Sequence, residues 1–322
     1  MRAVERETYG DTSVLRVVDR ELAAPTGDQV LVRVAAAGVN MAEWHLMTGL
    51  PSVARLALGL RAPRRHGLGQ DLVGTVEAVG PDVRALRPGD RVLGTGDAAF
   101  AEQALTREHR LVTLPAHVPD DRAAATPLAG TTALHALRSG RVAAGDRVLV
   151  LGAGGGVGSL AVRLAVLAGA HVTAATTAAK TGALAGLGAT AVVDREHLPT
   201  GPGGGFDVVL VTGGLTPLGD LRRLLGPRGT LVLVGAEGGG TVVGGGLARQ
   251  ARAAALDPWV RQRLRSVVAR ANPTDLARLR DLLADGSLVP VVDRTFPLAE
   301  AGAAIDHLAS GAARGKVVLR VG

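Results

Sequence analysis

The sequence of 322 residues predicts an α/β protein in which a β-rich domain, built from both ends of the chain, carries an inserted domain with a parallel sheet. Three observations predict this. Residues 1–121 contain short strands separated about every 8–12 residues by Pro, Gly and Asp. Residues 122–265 alternate buried strands with helices, which is typical of right-handed crossovers in a parallel sheet. Residues 266–322 return to the β-rich domain.

The first part of the chain is predicted to be mainly strands. Apolar and polar residues alternate with a period of two, as they do in a half-buried strand. The strand candidates are Glu5–Thr8, Leu15–Val18, Val30–Ala36, Asp71–Val79 and Arg91–Gly94.

The middle part begins with an Ala/Leu-rich helix at Asp120–Leu137. Its strand candidates are Arg147–Leu151, His171–Ala175, Thr190–Asp194, Phe206–Val211 and Thr230–Val234. The helix candidates between them are Val157–Ala168, Ala178–Leu187 and Leu218–Leu225, and the glycine-rich stretches Gly201–Gly205 and Gly238–Gly246 are predicted surface loops.

The last part begins with an amphipathic helix at Thr274–Ala284, for which Thr274 is the predicted N-cap. A second helix is predicted at Leu298–Leu308. Strands are predicted at Leu288–Val292, Thr295–Phe296 and Lys316–Arg320.

Composition excludes several classes of protein. The chain has no cysteine, so disulfides, iron–sulfur clusters and thiolate nucleophiles are excluded. The net charge of +7 comes from scattered arginines, and aromatic residues make up only 2%, too few for a base-stacking surface, so we expect no nucleic-acid partner. No apolar run reaches the ~20 residues of a membrane-spanning helix and no leader pattern is present, so we expect a cytoplasmic protein without a membrane partner.

The strongest local feature is a glycine-rich stretch between a buried strand and a helix. Ala153, Gly155 and Gly158 occupy the frame G-x-G-x-x-G, with Ala in the first position. Such a turn lets the backbone approach a pyrophosphate, and the helix N-terminus favours an anion. The Lys-Ser or Lys-Thr that closes a Walker loop is absent, which argues against a nucleotide hydrolase. The pattern predicts a dinucleotide site at Ala153, Gly154, Gly155, Gly156, Val157 and Gly158.

The charge pattern after the second strand of this domain predicts which dinucleotide is bound. An NAD site places a carboxylate about 20 residues past the glycines, but no Asp or Glu occurs from Arg147 through Val193. Thr176, Thr177 and Lys180 could instead bind a 2′-phosphate, although Lys180 could also be a solvated helix residue. We therefore predict NADPH over NADH.

Several motifs together carry a resemblance to a known family. They are Gly38-Val39-Asn40, Gly69-Gln70-Asp71 with Val73-Gly74, Gly89-Asp90-Arg91-Val92, Leu128-Ala129-Gly130-Thr131 and Gly315-Lys316-Val317-Val318. In this order they resemble the medium-chain dehydrogenases/reductases, and specifically the zinc-free quinone-oxidoreductase (zeta-crystallin-like) branch. The resemblance implies a GroES-like β-barrel domain plus a Rossmann domain with a doubly wound parallel sheet. Members of the family are usually homodimers or homotetramers, and we expect a homodimer.

The resemblance also bears on zinc. Zinc-dependent relatives place a cysteine near Gly38 and a Gly-His-Glu where this chain has Gly69-Gln70-Asp71. Because cysteine is absent and Gln70 replaces the histidine, and because catalytic zinc needs about three protein ligands, we expect no zinc.

Site residues follow from the resemblance position by position. Asn40 is expected near the nicotinamide ribose, Thr131 at the nicotinamide end and Lys316 near the active-site cleft. The backbone of Val234 and Gly235 is expected beside the nicotinamide ring. Arg195 replaces a family tyrosine beside the adenosine ribose, where it could bind the 2′-phosphate or be a solvated loop residue.

The resemblance also directs attention to the segment after Asn40. Glu43, Trp44 and His45 are expected to line the substrate pocket, and residues 46–60 are expected to form a mobile lid. His45 could donate a proton at neutral pH, and water could do the same.

These observations predict a zinc-independent oxidoreductase that transfers a hydride from NADPH to a quinone or an α,β-unsaturated carbonyl. Conjugated acceptors spread the developing negative charge onto an oxygen that hydrogen-bond donors can hold. Two alternatives stay open: a biosynthetic enoyl reductase acting on a thioester or specialised metabolite, and a non-catalytic NADPH-binding redox sensor or RNA-binding protein.

Overall fold

A computed structural model describes residues 1–198, 205–235 and 245–322. The chain divides into two compact units, one of residues 1–131 with 270–322 and the other of residues 132–269. The predicted domain boundaries after residues 121 and 265 stay predictions. Most of residues 201–205 and 238–246, the two predicted glycine-rich loops, lie outside the described residues, although Gly245 and Gly246 begin a helix.

The strands, in chain order, are β1 Arg2–Glu5, β2 Arg16–Asp19, β3 Gln29–Val39, β4 Asp71–Val79, β5 Arg91–Thr95, β6 Gln103–Arg107, β7 Leu111–Thr113, β8 Arg147–Leu151, β9 His171–Thr176, β10 Ala191–Asp194, β11 Phe206–Val211, β12 Leu225–Val234, β13 Arg263–Val267, β14 Val292–Pro297 and β15 Lys316–Arg320. The α-helices are α1 Met41–Thr48, α2 Arg55–Leu58, α3 Asp120–Ala124, α4 Pro127–Gly140, α5 Gly156–Leu167, α6 Leu218–Arg223, α7 Gly245–Leu256, α8 Pro273–Ala284 and α9 Ala301–Ala309.

The first unit is the GroES-like domain, and both ends of the chain build its sheet. The strands follow the order β14-β15-β3-β4-β5-β7, with β6 also paired to β3. The C-terminal strand β15 runs antiparallel to β3, so that Val318 lies opposite Gly38. Buried aliphatic side chains of this sheet and of α9, among them Val32, Leu72 and Ile305, form its core.

The second unit contains a six-stranded parallel sheet in the order β10-β9-β8-β11-β12-β13. Numbered along this unit, the order is 3-2-1-4-5-6, which is the Rossmann order. Leu149, Val209 and Leu231 are fully buried in the centre of the sheet, because helices of a doubly wound sheet cover both faces. The predicted α/β class, with a GroES-like domain and a Rossmann domain, is confirmed.

Local predictions differ in places from the structure. The helix predicted at Asp120–Leu137 is two helices, α3 and α4, and Pro127 begins the second because proline is tolerated in the first turn but not in a helix interior. Residues 178–187 form a 3₁₀ helix over Ala178–Leu184 rather than an α-helix. The strand predicted at Leu288–Val292 is wrong, since Leu288 donates its N–H to Leu282 O at the end of α8.

Within the described parts of the chain, no helix combines the length and the apolar character needed to cross a membrane.

The N-terminus of α8 provides a test of local stability. The predicted N-cap Thr274 is wrong: the cap is Asn272, whose side chain accepts a hydrogen bond from Asp275 N at 2.9 Å. We expect Asn272→Ala to lower the free energy of unfolding by about 1 kcal/mol, because it removes this bond. Thr274→Ala, at an exposed position, is the matched control and should change it by less than about 0.5 kcal/mol in denaturant titrations. Equal losses in the two variants would contradict this assignment.

Candidate functional site

The glycine-rich turn between β8 and α5 is closed by backbone hydrogen bonds. Gly152 has φ +83° and makes the turn one residue before the first position of the glycine frame. The N–H groups of Gly152 and Ala153 both donate to Ala175 O at 3.1 Å, which fastens the turn to the neighbouring strand β9. The position that requires a left-handed backbone is therefore Gly152, and Ala153 is tolerated in the frame because it does not have a positive φ.

Close packing around the turn leaves one side of it open. A Cβ at Gly158 would lie 2.1 Å from Gly152 O, so only glycine lets α5 begin this close to the turn. A Cβ at Gly154 would lie 2.5 Å from Thr176 Oγ1 and 2.8 Å from Lys180 Cβ. At Gly155 a Cβ would meet only Gly152 O, at 3.4 Å. The open side, together with the unpaired first-turn N–H groups of α5, fits a pyrophosphate.

The turn lies where the strand order of the parallel sheet reverses. The sheet continues in opposite directions from β8, to β9 on one side and to β11 on the other. Thr212, which follows β11, donates both its N–H and its hydroxyl to Leu151 O at 2.9 Å. Val234 ends the next strand, β12, and Gly235 follows it at the same edge. Ligands of open α/β sheets bind in the crevice at such a reversal.

The predicted 2′-phosphate residues lie at the carboxyl ends of β9 and β10. Thr176 is the buried last residue of β9, Thr177 precedes the 3₁₀ helix, and Lys180 lies within that helix. Arg195 is exposed and follows β10, with Nη1 3.9 Å from where a Cβ of Gly214 would lie. Asp194 is the register partner of Thr176, and its carboxylate accepts the N–H of Glu196 at 3.0 Å.

Within the GroES-like domain, two of the predicted residues, Asn40 and Lys316, meet in a buried cluster with Asp71. The ammonium of Lys316 donates to Asn40 Oδ1 and to Val39 O, and it lies 3.6 Å from Asp71 Oδ2. Asn40 Nδ2 donates to Asp71 Oδ2 at 3.1 Å. Asp71 Oδ1 accepts the N–H of Leu128 at 2.8 Å. These contacts orient the Asn40 amide and use the Lys316 ammonium inside the domain.

Glu43 also belongs to this buried cluster. The sequence alone did not predict that its side chain is buried there. Its side chain is fully buried, and Oε2 accepts the Asn40 N–H at 2.7 Å. Oε1 has no hydrogen-bond partner among the described residues. The expectation that Glu43 lines the substrate pocket is therefore not what the structure shows.

The charges of the cluster do not balance. One ammonium faces two carboxyl groups, so an ionised Glu43 would leave an excess negative charge in the domain interior. Burial, followed by the charge of Asp71, raises the pKa of Glu43 to about 7, against the opposing effect of Lys316. Burial also raises the pKa of Asp71. Glu43 therefore keeps its proton up to a higher pH than an exposed glutamate does.

The other predicted residues of this domain, His45, Trp44 and Thr131, each lie in a different environment. His45 Nδ1 lies 2.7 Å from Leu50 O, so Nδ1 carries a proton and donates it in a hydrogen bond to this carbonyl. Trp44 packs against the domain core and meets the His45 ring edge-on at 5.1 Å between ring centres. Thr131 is buried, and its hydroxyl has no hydrogen-bond partner among the described residues.

Two side chains near the N-terminus, those of Arg6 and Tyr9, hydrogen-bond to backbone carbonyls of residues 46–66. The Arg6 guanidinium, itself buried, donates to Leu46 O at 2.8 Å and to His66 O at 3.1 Å. Tyr9 donates to Gly59 O at 2.8 Å. The segment expected to be a mobile lid, residues 46–60, is therefore held at its first residue by Arg6 and near its last residue by Tyr9.

Metal ligands are sparse in the described ranges. No group of three His, Cys, Asp or Glu side chains there is placed to hold a metal ion.

The buried position of Glu43 predicts a pH-dependent stability. Between about pH 4.5, the ordinary value for a glutamate, and about pH 7, the folded chain keeps this proton while the unfolded chain releases it. The contribution of Glu43 to the free energy of unfolding is full below pH 4.5 and falls by roughly 1 kcal/mol per pH unit up to pH 7. We expect Glu43→Gln to remove this slope in urea titrations from pH 4.5 to 8.

The control for this measurement is Glu21→Gln, at an exposed position, which should retain the wild-type slope. The glutamine amide at position 43 lacks a hydrogen-bond acceptor where Oε1 lies. This lowers the free energy of unfolding of the variant by an amount that does not depend on pH. A wild-type slope in Glu43→Gln would contradict the buried-proton assignment.

Comparisons with known proteins agree with this geometry. The family described as "Alcohol dehydrogenase GroES-like domain" matches residues 26–116, and the family described as "Zinc-binding dehydrogenase" matches residues 187–319. A 2-methylene-furan-3-one reductase from Solanum lycopersicum is 30% identical over 337 residues, which are 99% of this chain and 79% of the relative. The structure of the quinone oxidoreductase from Coxiella burnetii superposes with a TM-score of 0.86 at 26% identity, covering 100% of this chain and 99% of that one.

Other relatives are much larger proteins. The spectinabilin polyketide synthase system protein NorB from Streptomyces orinoci is 37% identical over 318 residues, which are 93% of this chain and 13% of the relative. The chain spans between 5% and 14% of the length of the first curated relatives that it matches. The two matching families, the reductase relative that aligns with 99% of this chain and the superposed fold lead to one conclusion: the chain belongs to the medium-chain dehydrogenases/reductases, in the quinone-oxidoreductase branch.

Proposed function

We propose that the chain is an NADPH-dependent, zinc-independent reductase of quinones or α,β-unsaturated carbonyl compounds. The observation that carries this proposal is the glycine turn at the reversal of the parallel sheet, beside a β9 end that has threonines in place of a carboxylate. A carboxylate there would hold the ribose hydroxyls of NADH and would repel a 2′-phosphate.

The chain offers partners for the phosphate groups of the coenzyme. The N–H groups of Gly156, Val157 and Gly158 would face the pyrophosphate, while Thr176, Thr177, Lys180 and Arg195 would surround the 2′-phosphate. When bound, NADPH supplies a hydride from C4 of its reduced ring.

The acceptor chemistry follows from the residues that the chain contains. Addition of a hydride to the β-carbon of an enone moves the π electrons to the carbonyl oxygen, and a proton from His45 or water then completes the reduction. We propose that no zinc assists, because the chain has no cysteine and carries Gln70 where zinc-dependent relatives have a histidine. A homodimer in the cytoplasm, with no nucleic-acid or membrane partner, completes the proposal.

A second candidate function is a biosynthetic enoyl reductase acting on a thioester or specialised metabolite. The relatives named as polyketide synthases support it. The 2-methylene-furan-3-one reductase supports the wider class, because its name describes a conjugated enone. Both candidates use the same hydride transfer and differ only in the acceptor.

The assay that tests the proposal follows NADPH oxidation by the purified protein with quinones, simple enones and an enoyl thioester. We expect turnover with at least one conjugated acceptor, higher kcat/KM with NADPH than with NADH, and no loss after treatment with a chelator. Turnover confined to the enoyl thioester would select the biosynthetic candidate. Tight NADPH binding without turnover of any acceptor would favour the redox sensor, and stoichiometric zinc in the purified protein would overturn zinc independence.

Coenzyme preference has its own test at the end of β9. Thr177→Asp places a carboxylate beside the proposed 2′-phosphate site, and we expect the Kd for NADPH to rise at least about tenfold while the Kd for NADH stays equal or falls. Thr190→Asp makes the same change at the opposite end of the sheet, at the residue before β10, and should alter neither Kd. Calorimetry measures both, and an unchanged NADPH affinity in Thr177→Asp would contradict the placement of the 2′-phosphate.

A further inference from the structure

Two adjacent residues of α7 hold backbone carbonyls at the edge of the parallel sheet where the coenzyme would bind. Arg249 contacts the loop after β11, and Gln250 contacts Gly235, the residue after β12. The loop after β11 and Gly235 both follow the carboxyl ends of strands, beyond the reversal of the strand order at β8. The contacts therefore lie at the edge where ligands of open α/β sheets bind.

The Arg249 contact shapes the loop after β11. Arg249 is 8% exposed, and its Nη1 donates to Gly214 O at 3.0 Å and to Thr216 O at 3.2 Å. Burying a guanidinium costs free energy unless its N–H groups are hydrogen-bonded, so the bonds to Gly214 and Thr216 are needed to keep Arg249 buried. Two carbonyls that converge on one nitrogen curve the loop around it. The same loop begins at Thr212, which is bonded to Leu151 at the base of the glycine turn.

The Gln250 contact holds Gly235. Its amide Nε2 donates to Gly235 O at 2.6 Å, and Gly235 has φ +73° immediately after β12. In the sheet order, β12 lies three strands from β9. At about 4.8 Å per strand, Gly235 is roughly 14 Å across the sheet from the adenosine side at Thr176. The two halves of a dinucleotide occupy the two sides of the reversal, so Gly235 lies on the nicotinamide side.

We propose that Arg249 and Gln250 are positioning residues that set the spacing between the loop after β11 and Gly235, and thereby the fit of the nicotinamide half of the coenzyme. The inference rests on the proposed coenzyme site. Neither side chain needs to touch the coenzyme, because each acts through the carbonyl groups that it holds. Loss of the Gln250 contact frees Gly235 while leaving Thr176, Thr177 and Lys180 as they are.

The test compares the whole coenzyme with its adenosine fragment. For Gln250→Met, which keeps the length of the side chain and removes the donor, we expect the Kd for NADPH to rise about three- to tenfold. The Kd for 2′,5′-ADP should stay within twofold of wild type, because this fragment does not reach Gly235. Arg249→Lys should raise the Kd for NADPH as well, since a lysine ammonium does not reproduce the guanidinium geometry.

The matched control is Arg252→Met, an exposed position on the same helix, which should leave both Kd values unchanged. If Arg249→Lys does not fold, Gln250→Met alone decides the question, because Gln250 is only partly buried. Unchanged NADPH affinity in Gln250→Met, or an equal loss for NADPH and 2′,5′-ADP, would overturn the positioning role. Failure of the wild type to bind NADPH or NADH would instead overturn the proposed function.

Discussion

The proposed coenzyme site depends on a close approach between backbone atoms at the start of α5. Gly158 packs against the carbonyl of Gly152, and a side chain at Gly158 would separate the helix from the turn. Because this contact places the helix N-terminus at the reversal of the strand order, the N–H groups, the helix dipole and the crevice coincide. The adenosine and nicotinamide sides are then positioned by the strands that flank β8.

A different constraint governs the GroES-like domain. Lys316, Asp71 and Glu43 are all buried, and removing charges from water costs free energy unless they are paired and hydrogen-bonded. Lys316 and Asp71 satisfy each other through Asn40, and the raised pKa of Glu43 lets this side chain avoid the cost below about pH 7. The cluster joins the C-terminal strand to residues near positions 40 and 71, and so it helps to close a domain made from both ends of the chain.

The relatives share this fold across proteins of very different length. A chain that aligns over its whole length with a plant reductase also aligns with a small fraction of a polyketide synthase protein. In the proposed function the glycine turn and the parallel sheet bind only the coenzyme. Differences in the acceptor would then come from side chains outside the Rossmann sheet.

Elements with a clear local pattern were determined by the sequence itself. Asp71–Val79, Arg147–Leu151, Phe206–Val211 and Lys316–Arg320 are strands with the predicted bounds, because apolar runs or alternation end there at turn-forming or polar residues. The cap of α8 was missed because Asn272 and Thr274 are both good caps, and only the path of the chain distinguishes them. The pairing of Lys316 with Asp71, the buried proton of Glu43 and the contacts of Arg249 were decided by tertiary structure alone, since their partners are distant in sequence or depend on burial.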